Sequence, residues 1–149
     1  MKKIVSIIKI SLIYLLLTNS GLAKQSEYFN EGKKLFQKKK FDKSKIFFER
    51  DIAFDPKSVK SYLYLAKIFL NKDNDEEQEI NLNNVLLLNP QNDEAIYMLA
   101  LIKIKQSDYN QAKELIDRFS LVCKSFCSKK KEIEDKLEKL TPENAKNNN

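Results

Sequence analysis

The stretch DPKSVKSYLYLAKIFL at residues 55–70 recurs 34 residues later as NPQNDEAIYMLALIKI at residues 89–104. Each copy opens with a polar residue and a proline, and continues with apolar residues spaced three and four apart. This spacing places the apolar side chains on one face of an α-helix. Because proline cannot donate into a continuing helix and restricts the residue before it, each proline marks a boundary between helices. We infer an internal repeat.

The repeat extends in both directions from these two copies. It gives three units of two amphipathic helices each, at about residues 25–58, 59–92 and 93–124. Gly32, Ala66 and Ala100 occupy equivalent positions, and Ala112 is a small residue on a second helix. A large side chain at these positions would wedge the two helices of a pair apart. We therefore expect close helix–helix approach at all four residues.

The combination of aromatic, small and proline positions at a fixed period resembles the tetratricopeptide repeat, a helix–turn–helix unit. The resemblance implies an all-α fold, an α-solenoid of three tetratricopeptide helix pairs. The chain departs from the usual pattern at three places. Asp51 stands where a small apolar residue is usual, Gln78 stands where alanine is usual, and Cys123-Lys124 replaces the closing proline of the third unit.

Residues 128–140 predict one more helix, whose apolar residues Ile133, Leu137 and Leu140 form a narrow stripe. A solenoid needs a polar cap over its last apolar face, and we expect this helix to supply it. A free coiled coil is the alternative, but the stripe is too short for one. Residues 24–140 therefore predict a single repeat domain, followed by a polar, disordered tail at residues 141–149.

Residues 1–23 have the features of a cleaved secretory signal peptide. Lys2-Lys3 precedes an apolar run at residues 4–17, and Gly21-Leu22-Ala23 places small residues before a cut between Ala23 and Lys24. An uncleaved membrane anchor is the alternative, but Lys9 interrupts a run shorter than the roughly 20 residues needed to span a bilayer. No cysteine follows the cut to carry a lipid. We expect a periplasmic protein that meets the membrane only during export.

The composition argues against an enzyme, because the chain has no histidine and only two glycines. The commonest catalytic base is absent, and a glycine-rich phosphate loop cannot be built. The acidic cluster at residues 73–77 lacks the spacing of a calcium loop, and acids at a helix start are explained by the helix dipole. We expect no cofactor, no metal and no small-molecule substrate.

The charge gives little support for a nucleic-acid partner. The formal net charge of the whole chain is +6, and removal of Lys2, Lys3 and Lys9 with the signal lowers it to +3. The remaining lysines are largely interleaved with acids, which is typical of a solvated surface. We therefore expect a protein partner and no nucleic acid.

Cys123 and Cys127 lie where the third pair ends and the cap helix begins. In an oxidising compartment a disulfide between them would persist. Four residues of continuous helix would put the Cα atoms near the upper limit for a bridge, and a turn would ease closure. We predict a disulfide that fixes the angle of the cap. A redox-active pair is the alternative, but the spacing is not that of a C-x-x-C motif.

The tetratricopeptide resemblance implies that the first helix of each pair lines a concave groove. The lining residues are those out of phase with the packing residues, and they are mostly apolar with a few lysines. Such a surface suits an amphipathic helix or an extended peptide of a partner protein. The predicted groove residues are Phe29, Lys33, Phe36, Leu63, Tyr64, Lys67, Leu70, Tyr97, Met98, Leu101 and Ile104.

Some members of this family clamp a terminal carboxylate with lysine, arginine and asparagine in the groove. At those positions this chain offers one suitable residue, Lys33, beside Phe29, Tyr64, Glu94 and Met98. We therefore expect the apolar mode and a role as a protein-binding scaffold in the cell envelope. The alternative is a structural homo-oligomer whose groove is its own interface.

Overall fold

The computed structural model describes residues 26–140. They form seven α-helices and one short 3-10 helix, with no strand among them. The predicted cleavage site and polar tail lie outside these residues. The helices are α1 Glu27–Gln37, α2 Phe41–Phe54, α3 Val59–Asn71, α4 Asp75–Leu88, α5 Asp93–Lys105, α6 Tyr109–Val122 and α7 Lys130–Leu140, and the 3-10 helix is Cys127–Lys129.

The helices pack as three successive pairs, α1–α2, α3–α4 and α5–α6, with each pair against the next and α7 against the last. This confirms the predicted all-α solenoid with a C-terminal cap. Among the described residues, none of the helices combines the length and apolarity required to cross a bilayer.

The turn inside each pair has the same geometry three times. Lys39, Asp73 and Ser107 adopt positive φ angles of 55°, 51° and 61° and stand 34 residues apart. The residue after each donates its backbone N–H to a carbonyl five residues earlier, as from Lys40 to Leu35 at 2.9 Å. This is the hydrogen-bond pattern of a Schellman helix ending, for which glycine is the usual residue. Left-handed backbone at a non-glycine residue costs about 1–2 kcal/mol, so the surrounding packing must hold each turn.

The predicted close approach of paired helices is confirmed at Gly32. A Cβ atom added there would lie 2.9 Å from Cε1 of Phe48, whose side chain is fully buried. Ala66, Ala100 and Ala112 are fully buried as well. Small side chains at these positions therefore set the spacing between the two helices of each pair.

Asp51 explains the first departure from the usual repeat pattern. Its buried carboxylate accepts hydrogen bonds from the hydroxyls of Ser26, Ser58 at 2.6 Å and Ser61 at 2.5 Å. Ser26 caps α1, whereas Ser58 and Ser61 belong to the start of α3. The carboxylate thus joins the first helix pair to the second through hydrogen bonds where an apolar residue would rely on packing.

The cap helix occupies the place of the first helix of a fourth unit. Its fully buried Ile133 follows Leu99 by 34 residues, and Leu99 follows Leu65 by the same interval. Tyr97 donates its hydroxyl proton to Glu132 Oε1 at 3.0 Å and holds α7 against α5. The prediction that Leu140 also packs on the core is wrong, because it is half-exposed at the end of the last turn. The helix ends there before a neighbouring element covers it.

Candidate functional site

A cleft of about 490 Å³ lies between the ends of α3, α5 and α7. Five of the predicted groove residues line it, four of them from α5. Lys136 and Leu140 of α7 form another wall. The five predicted residues in the lining are Leu70, Tyr97, Met98, Leu101 and Ile104.

Charged side chains lie around this apolar lining. Lys105 Nζ and Asp75 Oδ2 form an ion pair at 2.6 Å, and the hydrogen bond to Asp75 raises the pKa of Lys105 despite a small opposing effect of desolvation. Asp73 and Lys136, which also line the cleft, form no ion pair with other residues in the described part of the chain. One acid and one base are therefore free to meet charges on an occupant.

Gln78, the second departure from the repeat pattern, borders the same cleft. Its side chain is buried, and its Oε1 atom has no hydrogen-bond partner among residues 26–140. Ser44, 34 residues earlier, satisfies its hydroxyl by donating to the carbonyl of Gly32 at 2.8 Å. A buried acceptor without a donor costs about 1–3 kcal/mol. The second pair thus carries a polar cost at the cleft that the first pair avoids.

The N-terminal part of the predicted groove is closed by aromatic packing. Phe29 is buried, so its prediction as an exposed lining residue is wrong. Its ring lies 5.5 Å from that of Tyr64, which also packs against Phe36 at 5.1 Å and stacks on Phe48 at 4.9 Å. Burial, and then the charge of Glu94, raise the pKa of Tyr64. These rings belong to two adjacent pairs, and their contact fills the space that an occupant would need.

The predicted exposure is also wrong for Tyr97, Met98 and Ile104, which are buried. They lie on α5, which has α4, α6 and α7 as neighbours, so both sides of the helix are largely covered. These three side chains present only an edge to the cleft. Leu70 and Leu101 are more accessible, with Leu70 half-exposed and Leu101 partly buried.

The polar members of the predicted groove have different surroundings. Lys67 Nζ lies 2.7 Å from Glu94 Oε1, which joins α3 to α5, and 5.2 Å from the centre of the Tyr64 ring. Lys33 is exposed, and Leu63 is partly buried against the core. Because Lys67 already has a partner, an occupant would have to displace Glu94 to use this charge.

Cys123 and Cys127 are joined as a disulfide, with their Cα atoms 5.2 Å apart. Cys123 follows the end of α6, and Cys127 begins the 3-10 helix, so the two cysteines flank a turn. The carboxylate of Asp93 accepts backbone hydrogen bonds from Lys124, Ser125 and Phe126 inside this loop. The disulfide loop is thus bound to the start of α5, which lines the cleft.

No group of three histidine, cysteine, aspartate or glutamate residues among residues 26–140 is arranged to hold a metal ion.

Comparisons of sequence found no match to a family model or to a curated protein. Comparison of structures found several similar domains. The TPR domain of Arabidopsis OM64 aligns with a TM-score of 0.69 at 17% identity and covers 76% of this chain and 93% of that one. The second TPR domain of human RPAP3, solved with the HSP70 peptide SGPTIEEVD, gives 0.64 at 19% identity, covering 76% and 91%.

A bacterial protein shows the same likeness. The type III secretion translocator chaperone SycD of Yersinia enterocolitica aligns with a TM-score of 0.70 at 10% identity, covering 85% of this chain and 92% of that one. At such identities the comparisons establish a shared fold.

Proposed function

We propose that this chain, a solenoid with the tetratricopeptide-repeat fold, is a non-enzymatic scaffold that binds a segment of a partner protein. The observation that carries the proposal is the apolar cleft between α3, α5 and α7. The human domain of the same fold was solved with a bound peptide. This supports a peptide or helix as the occupant here.

The shape and chemistry of the cleft indicate what kind of segment it accepts. A volume of about 490 Å³ is within the usual range for ligand pockets, and an apolar lining favours large apolar side chains. Asp73 and Lys136 would meet a base and an acid beside those side chains. An N–H group of the occupant would supply the hydrogen bond that Gln78 Oε1 lacks. The proposed ligand is therefore an apolar segment flanked by charges of both signs.

The proposed place of action is the periplasm. The supporting features are the basic start, the apolar run at residues 4–17 and the small residues before Lys24. The cysteine pair is consistent with an oxidising compartment.

Site-specific photo-crosslinking in exporting cells tests the binding proposal. A photoreactive side chain in place of Leu140, a half-exposed residue of the cleft, should form an adduct with another protein. The same side chain in place of the exposed Lys113 on α6 is the matched control and should give little adduct. An adduct with the mass of two copies of this chain would support the homo-oligomer instead. Equal yields at both positions, or none, would contradict the scaffold proposal.

A further inference from the structure

Three large apolar side chains are far more exposed than any others in residues 26–140. Phe54, Leu87 and Leu121 are 75%, 79% and 86% exposed, whereas the next, Leu70, is 50% exposed. Each lies in the last turn of the second helix of its pair, α2, α4 or α6. Because the pairs are stacked in register, these last turns lie along one side of the solenoid. We call Phe54, Leu87 and Leu121 the apolar edge.

The chain enters the folded domain at this same edge. Ser26, which caps α1, donates to Asp51 in the last turn of α2, and the ring of Tyr28 stacks on Phe54 at 5.4 Å. The apolar run at residues 4–17 is separated from Ser26 by residues 18–25. Eight residues of chain span at most about 25–30 Å. A membrane that holds the apolar run is therefore within that distance of the apolar edge.

We propose that the apolar edge is a membrane-facing surface whose three side chains insert into the interface of a lipid bilayer. The side chains project separately, one from each repeat, and form no groove. A protein partner would need a contiguous, closely packed patch, whereas a bilayer interface accepts separate apolar side chains. The apolar edge would act both before the apolar run is removed and after, when it alone would keep the domain at the membrane.

Charge contributes less than apolar insertion to this contact. Arg50, Lys57 and Lys124 lie near the edge, but Asp55 and Asp117 are also exposed there. The mixed signs predict a weak preference for anionic lipid, with the three apolar side chains providing most of the affinity.

The position of the cleft is compatible with this orientation. Its lining includes Leu70, Asp73, Lys105 and Ser107, which lie at the turns inside the helix pairs. Those turns are at the opposite end of the helices from Phe54, Leu87 and Leu121. A domain resting on its apolar edge would thus hold the cleft away from the membrane.

Vesicle flotation of the chain beginning at Lys24 tests the proposal without the apolar run. All the packing contacts above lie within residues 26–140, so this chain keeps them. It should float with vesicles of phosphatidylethanolamine and phosphatidylglycerol. Leu87→Ser and Leu121→Ser should each lower the partition coefficient about tenfold, as expected for a leucine leaving an apolar environment. The controls Ile46→Ser and Ile80→Ser lie two turns earlier on α2 and α4, are 49% and 48% exposed, and should change little.

A second readout does not depend on removing a side chain. The chain contains no tryptophan, so Leu121→Trp places a single indole at the edge. Its emission should shift to the blue with vesicles and be quenched by brominated lipid, whereas Ile80→Trp should show neither effect. Failure of the parent chain to bind vesicles, or equal losses in edge and control variants, would overturn the proposal. So would a dimer in vesicle-free solution that Leu87→Ser and Leu121→Ser dissociate, because a second copy would then cover the edge.

Discussion

Asp93 Oδ2 accepts a hydrogen bond from the backbone N–H of Phe126 at 3.0 Å, across 33 residues of chain. The same oxygen accepts from Lys124 at 2.7 Å and from Ser125 at 2.6 Å. Burial alone would raise the pKa of Asp93, but these bonds, with one from Glu94, outweigh it and hold the pKa below its usual value of 3.8. One carboxylate at the start of α5 thus positions the whole connection between α6 and α7.

Replacing Asp93 with asparagine should lower the free energy of unfolding by about 1–2 kcal/mol near pH 7, because charged acceptors bind N–H groups more strongly than amides do. A lowered folded-state pKa stabilises the protein above the ordinary carboxyl pKa, and this stability is lost as the pH falls through the folded-state value. The variant and the parent should therefore converge in acid. Urea unfolding at several pH values measures this, with the exposed Asp117→Asn as control. A constant difference at all pH values would contradict the argument.

The disulfide should stabilise the same region by constraining the unfolded chain. For so small a loop, the chain-entropy model gives about 2 kcal/mol, which the double variant Cys123→Ser/Cys127→Ser should lose. Hydrogen exchange should speed up most in α7 and least in α1 and α2, which lie at the other end of the solenoid. Mass spectrometry without reduction should find the peptide with both cysteines lighter by two hydrogens. Two freely alkylated thiols in protein from the envelope would refute the bridge.

Asp51 should be costly to remove, although an apolar residue is usual at its position. Asp51→Ala would leave the hydroxyl of the buried Ser61 without an acceptor, and we expect a loss of about 2–4 kcal/mol. The double variant Asp51→Ala/Ser61→Ala should lose less than the sum of the two single variants, because the unpaired hydroxyl is also gone. Urea unfolding of the four proteins measures the coupling. Additive losses would show that the carboxylate does not join the two pairs.

The architecture could be predicted because the signals for it are local and repeated. Gly32, Ala66 and Ala100 mark the close approaches, and Pro56 and Pro90 mark the boundaries between pairs. The left-handed turns were missed, because no glycine stands at any of the three positions. Comparison of Lys39, Asp73 and Ser107 across the period is the signal that could have found them, since helix endings in register must share one backbone geometry.

The site could be predicted only in part, because periodicity gives the side of a helix on which a residue lies but not what covers that side. Phe29 lies on the predicted side, yet Tyr64 from the next pair closes over it. Tyr97 lies there too, yet α7 covers it through Glu132. Gln78 was noted as a departure from the pattern, but its unpaired oxygen depends on its neighbours in three dimensions.

Processing of the N-terminus remains a prediction with a direct measurement. N-terminal sequencing of protein from the periplasmic fraction should begin at Lys24, because Gly21-Leu22-Ala23 gives a signal peptidase its small residues. Replacing Ala23 with a bulky leucine should block the cut and leave a longer protein in the membrane fraction, whereas Leu22→Val should not. Soluble cytosolic protein with Met1 intact would contradict export and weaken the case for the disulfide.

Binding in the cleft and stability of the core should respond to different leucines. Leu70→Ser and Leu101→Ser should reduce the crosslink from position 140, while the exposed Leu70 change should cost about 0.5 kcal/mol in unfolding free energy and the Leu101 change somewhat more. Leu65→Ala and Leu99→Ala remove buried side chains, and each should cost about 2–5 kcal/mol.

The two buried candidates separate these effects further. Changes at Tyr97 should resemble the core changes, because its side chain is buried and holds Glu132 of α7. Tyr97→Phe keeps the ring, and it should loosen α7 while retaining most of the apolar cleft lining. Urea unfolding and the crosslink yield, measured on the same set of variants, give both quantities. If Leu70→Ser and Leu101→Ser unfold the protein as severely as Leu99→Ala, the cleft leucines act as part of the core, and the binding site must be sought elsewhere on the solenoid.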